Sequence, residues 1–118
     1  MGEAVGRHKS LGELEHLLLL AVMRLGEEAY GVTLRREIEA RTGRPVSLGS
    51  IYPTLDRLEA IGYVSSRMSD PTGERGGRRR RTYRLEPAGE AAVRRARDML
   101  EAMWEGFEPE RAGEEGAS

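Results

Sequence analysis

Apolar positions recur with a helical period through three early stretches, switch to a period of two, and return to a helical period near the end of the chain. In the first stretch Leu14, Leu17, Leu18, Ala21, Val22 and Leu25 share one side of a helix. Leu19, Leu20 and Met23 widen that stripe almost all the way round, so this helix should be buried against both its own domain and a partner. Ser10-Leu11-Gly12-Glu13 reads as its capping box, with Ser10 as N-cap and Glu13 reaching back, and Gly26 stops it. A second helix is predicted from about Gly31 to Thr42, with Tyr30, Leu34 and Ile38 four apart and Gly43 as terminator. Arg35, Arg36, Glu37, Glu39 and Arg41 would form its solvated face.

A third helix should open at Ser47 and end at Gly62, burying Leu48, Ile51, Leu55, Leu58 and Ile61. Pro53 lies inside it, but near its start and with Gly49 four residues back, so one bent helix is expected rather than two. Beyond Gly62 the alternation predicts a strand over Tyr63–Met68, a turn at Asp70-Pro71-Thr72-Gly73 and a returning strand over Arg79–Leu85, with Gly76 and Gly77 loosening the connection. Glu86-Pro87 starts a last helix whose Val93, Ala96, Leu100, Met103 and Phe107 follow heptad spacing. The order α-α-α-β-β-α is mainly α with a small β-hairpin, a winged helix-turn-helix followed by a C-terminal dimerisation helix. The expected divisions are an arm over 1–9, the winged helix-turn-helix over 10–86, the dimerisation helix over 87–107 and a disordered acidic tail over 108–118.

Composition changes the picture in two places. The formal charge is only −1 over 118 residues, yet Arg75, Arg78, Arg79, Arg80, Arg81 and Arg84 crowd the hairpin while glutamates dominate from Glu101 onward. Four consecutive arginines repel one another unless a polyanion lies between them, so the hairpin is expected to meet nucleic-acid phosphate, with a solubilising basic loop as the alternative. The chain has no cysteine, which excludes disulfides and thiolate metal sites, and its longest apolar run, Leu17–Met23, is too short to span a bilayer. A soluble, cytoplasmic protein that does not engage a membrane is the expectation.

Enzyme chemistry finds no footing. His8 and His16 lack partner patterns, no glycine-rich phosphate loop follows a strand, and the acidic residues sit singly on helix faces. No catalytic group, cofactor or metal is called for. The third helix instead presents Gly49, Ser50, Pro53 and Arg57 opposite its buried stripe, with Tyr52 and Asp56 at the edge. That small, hydroxyl-bearing surface at a helix start suits a recognition helix in the DNA major groove. Ser47 and Ser50 could instead simply cap the helix, and Tyr52 could simply pack on a neighbour. Leu17 and Leu20 with Val93, Ala96, Leu100, Met103 and Phe107 are the predicted dimer interface. Trp104, with Met99 and Met103 nearby, could hold a small planar effector across the dimer axis, or serve as a large apolar anchor of the interface.

These residues resemble the PadR-like transcriptional regulators over roughly residues 10–107. Ser50-Ile51-Tyr52-Pro53-Thr54-Leu55-Asp56-Arg57-Leu58-Glu59 is similar to that family's recognition-helix signature, and Tyr30-Gly31, Gly77-Arg78 and Tyr83-Arg84-Leu85 match as well. A single helix after Glu86-Pro87-Ala88-Gly89 is similar to the shorter of the family's two architectures. The resemblance implies a homodimer, mostly acting as a repressor, that holds a pseudo-palindromic double-stranded DNA operator with its recognition helices and wings. Tyr30, Ser47, Gly49, Ser50, Tyr52, Pro53, Arg57 and Arg78 to Arg81 are then the expected DNA-binding residues. Some relatives bind small aromatic or other planar effectors near the dimer interface. A MarR-like regulator is the nearest rival, disfavoured because the first helix already belongs to the helix-turn-helix. A protein-interaction module on a winged-helix scaffold is the other, disfavoured by the hairpin arginines.

Overall fold

The computed structural model describes residues 10–69 and 79–107. Three helices come first: α1 over Glu13–Leu25, α2 over Gly31–Thr42 and α3 over Leu48–Ala60. Their stripes meet in one core, in which Leu18, Leu19, Leu34, Ile51, Leu55 and Leu58 are fully buried. Each such side chain contributes roughly 1.5–3 kcal/mol by leaving water. The wide stripe of α1 divides as its width requires: Leu18, Leu19, Ala21 and Val22 face the core, while Leu20 and Met23 stay exposed.

Helix boundaries follow local chemistry. The cap of α1 is Gly12, whose N–H donates to Glu15 Oε1 at 2.7 Å, so the reciprocal bond lies two residues later than the Ser10 and Glu13 pairing predicted. Leu11 packs against the core just before the helix, which fixes where the chain enters it. Glu13 is thereby freed to pair with Arg44 at 3.0 Å. Gly43 ends α2 in the left-handed region at φ 73°, where a Cβ would be strained. Ser47 caps α3 by accepting from the Ser50 N–H at 3.1 Å, and the helix runs unbroken through Pro53. Ile61 corrects the predicted stripe: α3 stops at Ala60, the chain turns, and Ile61 is 58% exposed. The supposedly solvated face of α2 is also partly engaged, since Glu37 pairs with both Arg24 and Arg41 and Glu39 accepts from the Val46 N–H.

Strand β1 (Val64–Met68) pairs antiparallel with β2 (Arg81–Leu85), in register Val64 with Leu85 and Met68 with Arg81. Both are shorter than predicted, because Tyr63 belongs to the turn after α3 and Arg79 and Arg80 precede the second strand. The far edge of β2 is also used: Tyr83 N–H donates to the Ala29 carbonyl at 2.9 Å, and Tyr30 bridges Thr82. The wing is thus bonded to the segment between α1 and α2. The predicted turn at Asp70–Gly73, the Gly76-Gly77 pair and Arg78 lie outside the described residues, as do the N-terminal arm and the acidic tail.

The last helix, α4, spans Pro87–Trp104, three residues short of the predicted end at 107. Its first half packs on α1 and buries Gly89, Ala92, Val93 and Ala96. This corrects the expectation that the whole heptad stripe lacks cover within its own chain. Val93 and Ala96 belong to the chain's own interior. Gly89 permits that packing, because a Cβ there would overlap the Tyr63 carbonyl. Past Ala96 the helix leaves the domain, and Met99, Leu100, Met103, Trp104 and Phe107 are all more than half exposed.

Candidate nucleic-acid interface

The outward side of α3 carries Gly49, Ser50, Tyr52, Pro53, Asp56 and Arg57, all exposed. Ser47 does cap the helix, with Ser50 supplying the N–H it accepts, and the two hydroxyls lie 3.2 Å apart at its exposed start. Behind this face Thr54 is buried, its hydroxyl donating to the Ser50 carbonyl at 2.8 Å while accepting from Arg57 Nη2 at 3.3 Å. Arg57 Nε also sits 3.9 Å from Glu15 Oε2. Arg57 is therefore leashed from two sides with most of its length in solvent. An open depression between the start of α1 and α3 is floored by these groups, with Gly12, Glu15, Ser50, Pro53, Thr54 and Arg57 in its wall.

Tyr52 is 42% exposed, and its inner edge rests on the backbone of α2 at Gly31. A side chain on Gly31 would overlap the Tyr52 hydroxyl. The residue before it, Tyr30, carries the Arg80 guanidinium over its ring at 4.4 Å from the centroid. Such a stack attracts the cation while leaving the guanidinium edge free to donate to an anion. Arg80, Tyr30, Gly31 and Tyr52 thus form a continuous run from the wing to α3. Arg80 is further fixed through its backbone, which exchanges bonds with Ser69.

The wing arginines do not behave alike. Arg79 is exposed, Arg80 lies over Tyr30, and Arg81 Nη1 donates to Ser66 Oγ at 3.0 Å. Tyr83, buried behind them, has its hydroxyl pKa pushed up to about 12, first by burial and then by Asp56 and Glu59, against the pull of Arg81. His16 on α1 is held below its ordinary value by burial. Trp104 stands half exposed beside a shallow depression rimmed by Asp98, Glu101 and Glu105. Among the described residues no helix is long and apolar enough to cross a membrane, and no group of three acidic or histidine side chains could hold a metal.

Gly31 beneath Tyr52 and Thr54 behind the exposed face support this surface without having been singled out among the expected DNA-binding residues. Gly31 carried a signal, since a glycine at the first helical position costs stability unless something needs the space. Thr54 carried none, because a threonine bonding the carbonyl one turn back reads as an ordinary helix residue until its burial is known.

The model of the transcriptional regulator PadR-like family matches residues 19–95, from the middle of α1 to the buried half of α4. This chain belongs to that family. Its members are transcriptional regulators rather than enzymes. The transcriptional regulator Rv3488 of Mycobacterium tuberculosis is 45% identical over 78 residues, covering 64% of this chain and 66% of that protein, just under two thirds of its length. A PadR family transcriptional regulator from Eggerthella lenta superposes with a TM-score of 0.61 at 26% identity, over 80% of this chain and 82% of that one. Bacillus subtilis PadR, solved in complex with operator DNA, superposes with a TM-score of 0.60 over 74% of this chain and 47% of its own. At 21% identity that last likeness speaks for the fold.

Proposed function

We propose that this chain is a sequence-specific DNA-binding regulator that acts as a homodimer and represses by occupying a pseudo-palindromic operator. The observation that carries the reading is the run from Arg80 through Tyr30 and Gly31 to Tyr52, in which an exposed guanidinium on the hairpin adjoins the exposed face of α3. Gly49, Ser50, Pro53 and Arg57 would meet base edges in the major groove, with Tyr52 beside them. Ser47 and the free N–H groups of the first turn would meet phosphate. Arg79 and Arg80 would follow the backbone from the wing, and Arg78 joins them on its sequence position. The fold is shared with a PadR that was solved in complex with operator DNA, which supports the DNA-binding reading.

The dimer is proposed from the apolar surface that the domain leaves bare. Met99, Leu100, Met103, Trp104 and Phe107 on α4, with Leu20 and Met23 on α1, are too many exposed apolar side chains for a monomer at rest in water. Leu17, half buried, would complete the α1 side. In that dimer the Trp104 rings would be the site for a planar effector, with Met99 and Met103 as adaptable walls.

The test is selection from random duplexes followed by sedimentation of the complex. Recovered sites should be inverted repeats whose half-sites lie about one helical turn, roughly 34 Å, apart, bound by two chains. Unrelated recovered sequences, or one chain per duplex, would contradict the reading. Titrating planar aromatic compounds while following Trp104 fluorescence and operator release together tests the effector. Quenching with unchanged operator affinity would leave Trp104 an interface anchor.

A further inference from the structure

Arg81 opens β2 opposite Met68, and its side chain runs back along the sheet instead of out toward the wing tip. Its Nη1 donates to Ser66 Oγ at 3.0 Å. Ser66 Oγ in turn lies 2.9 Å from each carboxylate oxygen of Glu59, in the last turn of α3. A hydroxyl has one proton to give and lone pairs to receive, so Ser66 donates to Glu59 and accepts from Arg81. The chain guanidinium–hydroxyl–carboxylate is charge-assisted at both ends, and each bond polarises the next.

The position of this bridge matters more than its strength. The covalent path from α3 to β1 is the short turn Ile61–Tyr63, held by Gly62 N–H to the Glu59 carbonyl at 3.0 Å and Tyr63 N–H to the Leu58 carbonyl at 2.9 Å. The far edge of β2 is already held to the segment before α2 through Tyr83 and Thr82. A contact from Glu59 ties the hairpin to α3 itself, away from their covalent junction, and so fixes the angle between those two elements. Ser66 lies two residues into β1, about 7 Å along the strand from Val64. It joins the end of α3 to β1, and through Arg81 to β2. Any error in that angle grows toward the wing tip, where Arg79 and Arg80 must meet phosphate while α3 is seated in its groove.

We infer that Glu59, Ser66 and Arg81 form a clasp that sets the angle between α3 and the wing, and that Arg81 serves operator selectivity as a positioning residue instead of contacting phosphate. This rests on the DNA-binding reading above and assigns parts within it. Non-specific phosphate binding tolerates a swivelling wing, because any register along the backbone offers charge. Reading an operator does not, because helix and wing must both be in place at one register.

The experiment uses the full chain with Ser66→Ala, Arg81→Ala and the two combined, first in thermal unfolding without DNA and then in binding across a salt series. The clasp predicts non-additivity: each single variant lowers Tm by a few degrees, and the double variant falls no further than the worse single. On DNA each should reduce the preference for operator over random duplex by roughly tenfold, the weight of one well-placed contact. The salt slope on random duplex should stay at the wild-type value, whereas Arg79→Ala should flatten it by about one unit. Additive Tm losses would remove the clasp. A slope flattened by about one unit in Arg81→Ala, with Ser66→Ala at wild-type selectivity, would make Arg81 a phosphate contact. Should Ser66→Ala not fold, Glu59→Gln keeps the acceptor, removes the charge and yields the same two readouts. A wild type without operator preference would sink the functional reading and the selectivity role with it, while the unfolding cycle would still judge the clasp.

Discussion

Two glycines show how much a single methyl group can mean in this chain. At Gly89 a Cβ would meet the Tyr63 backbone carbonyl, which α4 and the turn after α3 both hold in place. Gly89→Ala should therefore cost about 1–3 kcal/mol, as overpacking does, and appear as a clear loss in Tm. At Gly31 the Cβ would meet the ring edge and hydroxyl of Tyr52, the far end of a side chain that is nearly half exposed. Tyr52 can swing away, so Gly31→Ala should change stability by less than about 1 kcal/mol while weakening operator preference, since Tyr52 then leaves its place beside α3. Equal Tm losses for the two variants would contradict this contrast. Tyr83 offers a test by pH. Burial pushes its hydroxyl pKa from the ordinary 10.0 up to about 12 in the folded chain, so the native state keeps its proton longer. The stabilisation is complete below pH 10 and is lost as pH rises from there toward about 12. Wild-type Tm should accordingly fall faster than that of Tyr83→Phe across that window, and parallel curves would remove the argument.

At the scale of elements, α4 is two helices in function though one in geometry. Its first half is core and its second half is surface, so substitutions should separate by position. Val93→Ala should lower stability by roughly 1–3 kcal/mol at any protein concentration. Leu100→Glu or Met103→Glu should leave the helix intact and instead convert the dimer to monomer in sedimentation. A dimer unaffected by charge at Leu100 would move the interface elsewhere. The heptad spacing of α4 was legible in the sequence because spacing is a property of one helix. Which half would be covered was not, since that depends on where α1 ends up. The same division runs through the molecule. The element order, the core of Leu18, Leu34, Ile51, Leu55 and Leu58, the Ser47 cap and the unbroken passage through Pro53 follow from local pattern. The shift of the α1 cap to Gly12 turned on Leu11 packing inward, and the exposure of Ile61 on the turn that follows Ala60. The arginine cluster announced a polyanion, but four adjacent identical residues cannot announce that one stacks on Tyr30 and the next bonds Ser66. Those assignments exist only once β2 is paired on both edges.

For the molecule as a whole, the proposed function gives three surfaces separate tasks: the start of α3 would read, the wing arginines would attract, and the bare half of α4 with α1 would pair the chains. The division has a thermodynamic signature, because contacts to phosphate release counterions and contacts to bases do not. The most direct measurement is the affinity of the protein for its selected operator and for random duplex, across a range of salt, for wild type, Arg79→Ala, Arg80→Ala and Arg57→Ala. Arg79→Ala and Arg80→Ala should weaken both duplexes together and flatten the salt dependence by about one unit each. Arg57→Ala should cost about 1–3 kcal/mol on the operator and leave random duplex nearly untouched. The reverse pattern, with wing variants changing sequence preference and Arg57→Ala weakening all duplexes alike, would contradict the assignment of reading to α3 and attraction to the wing.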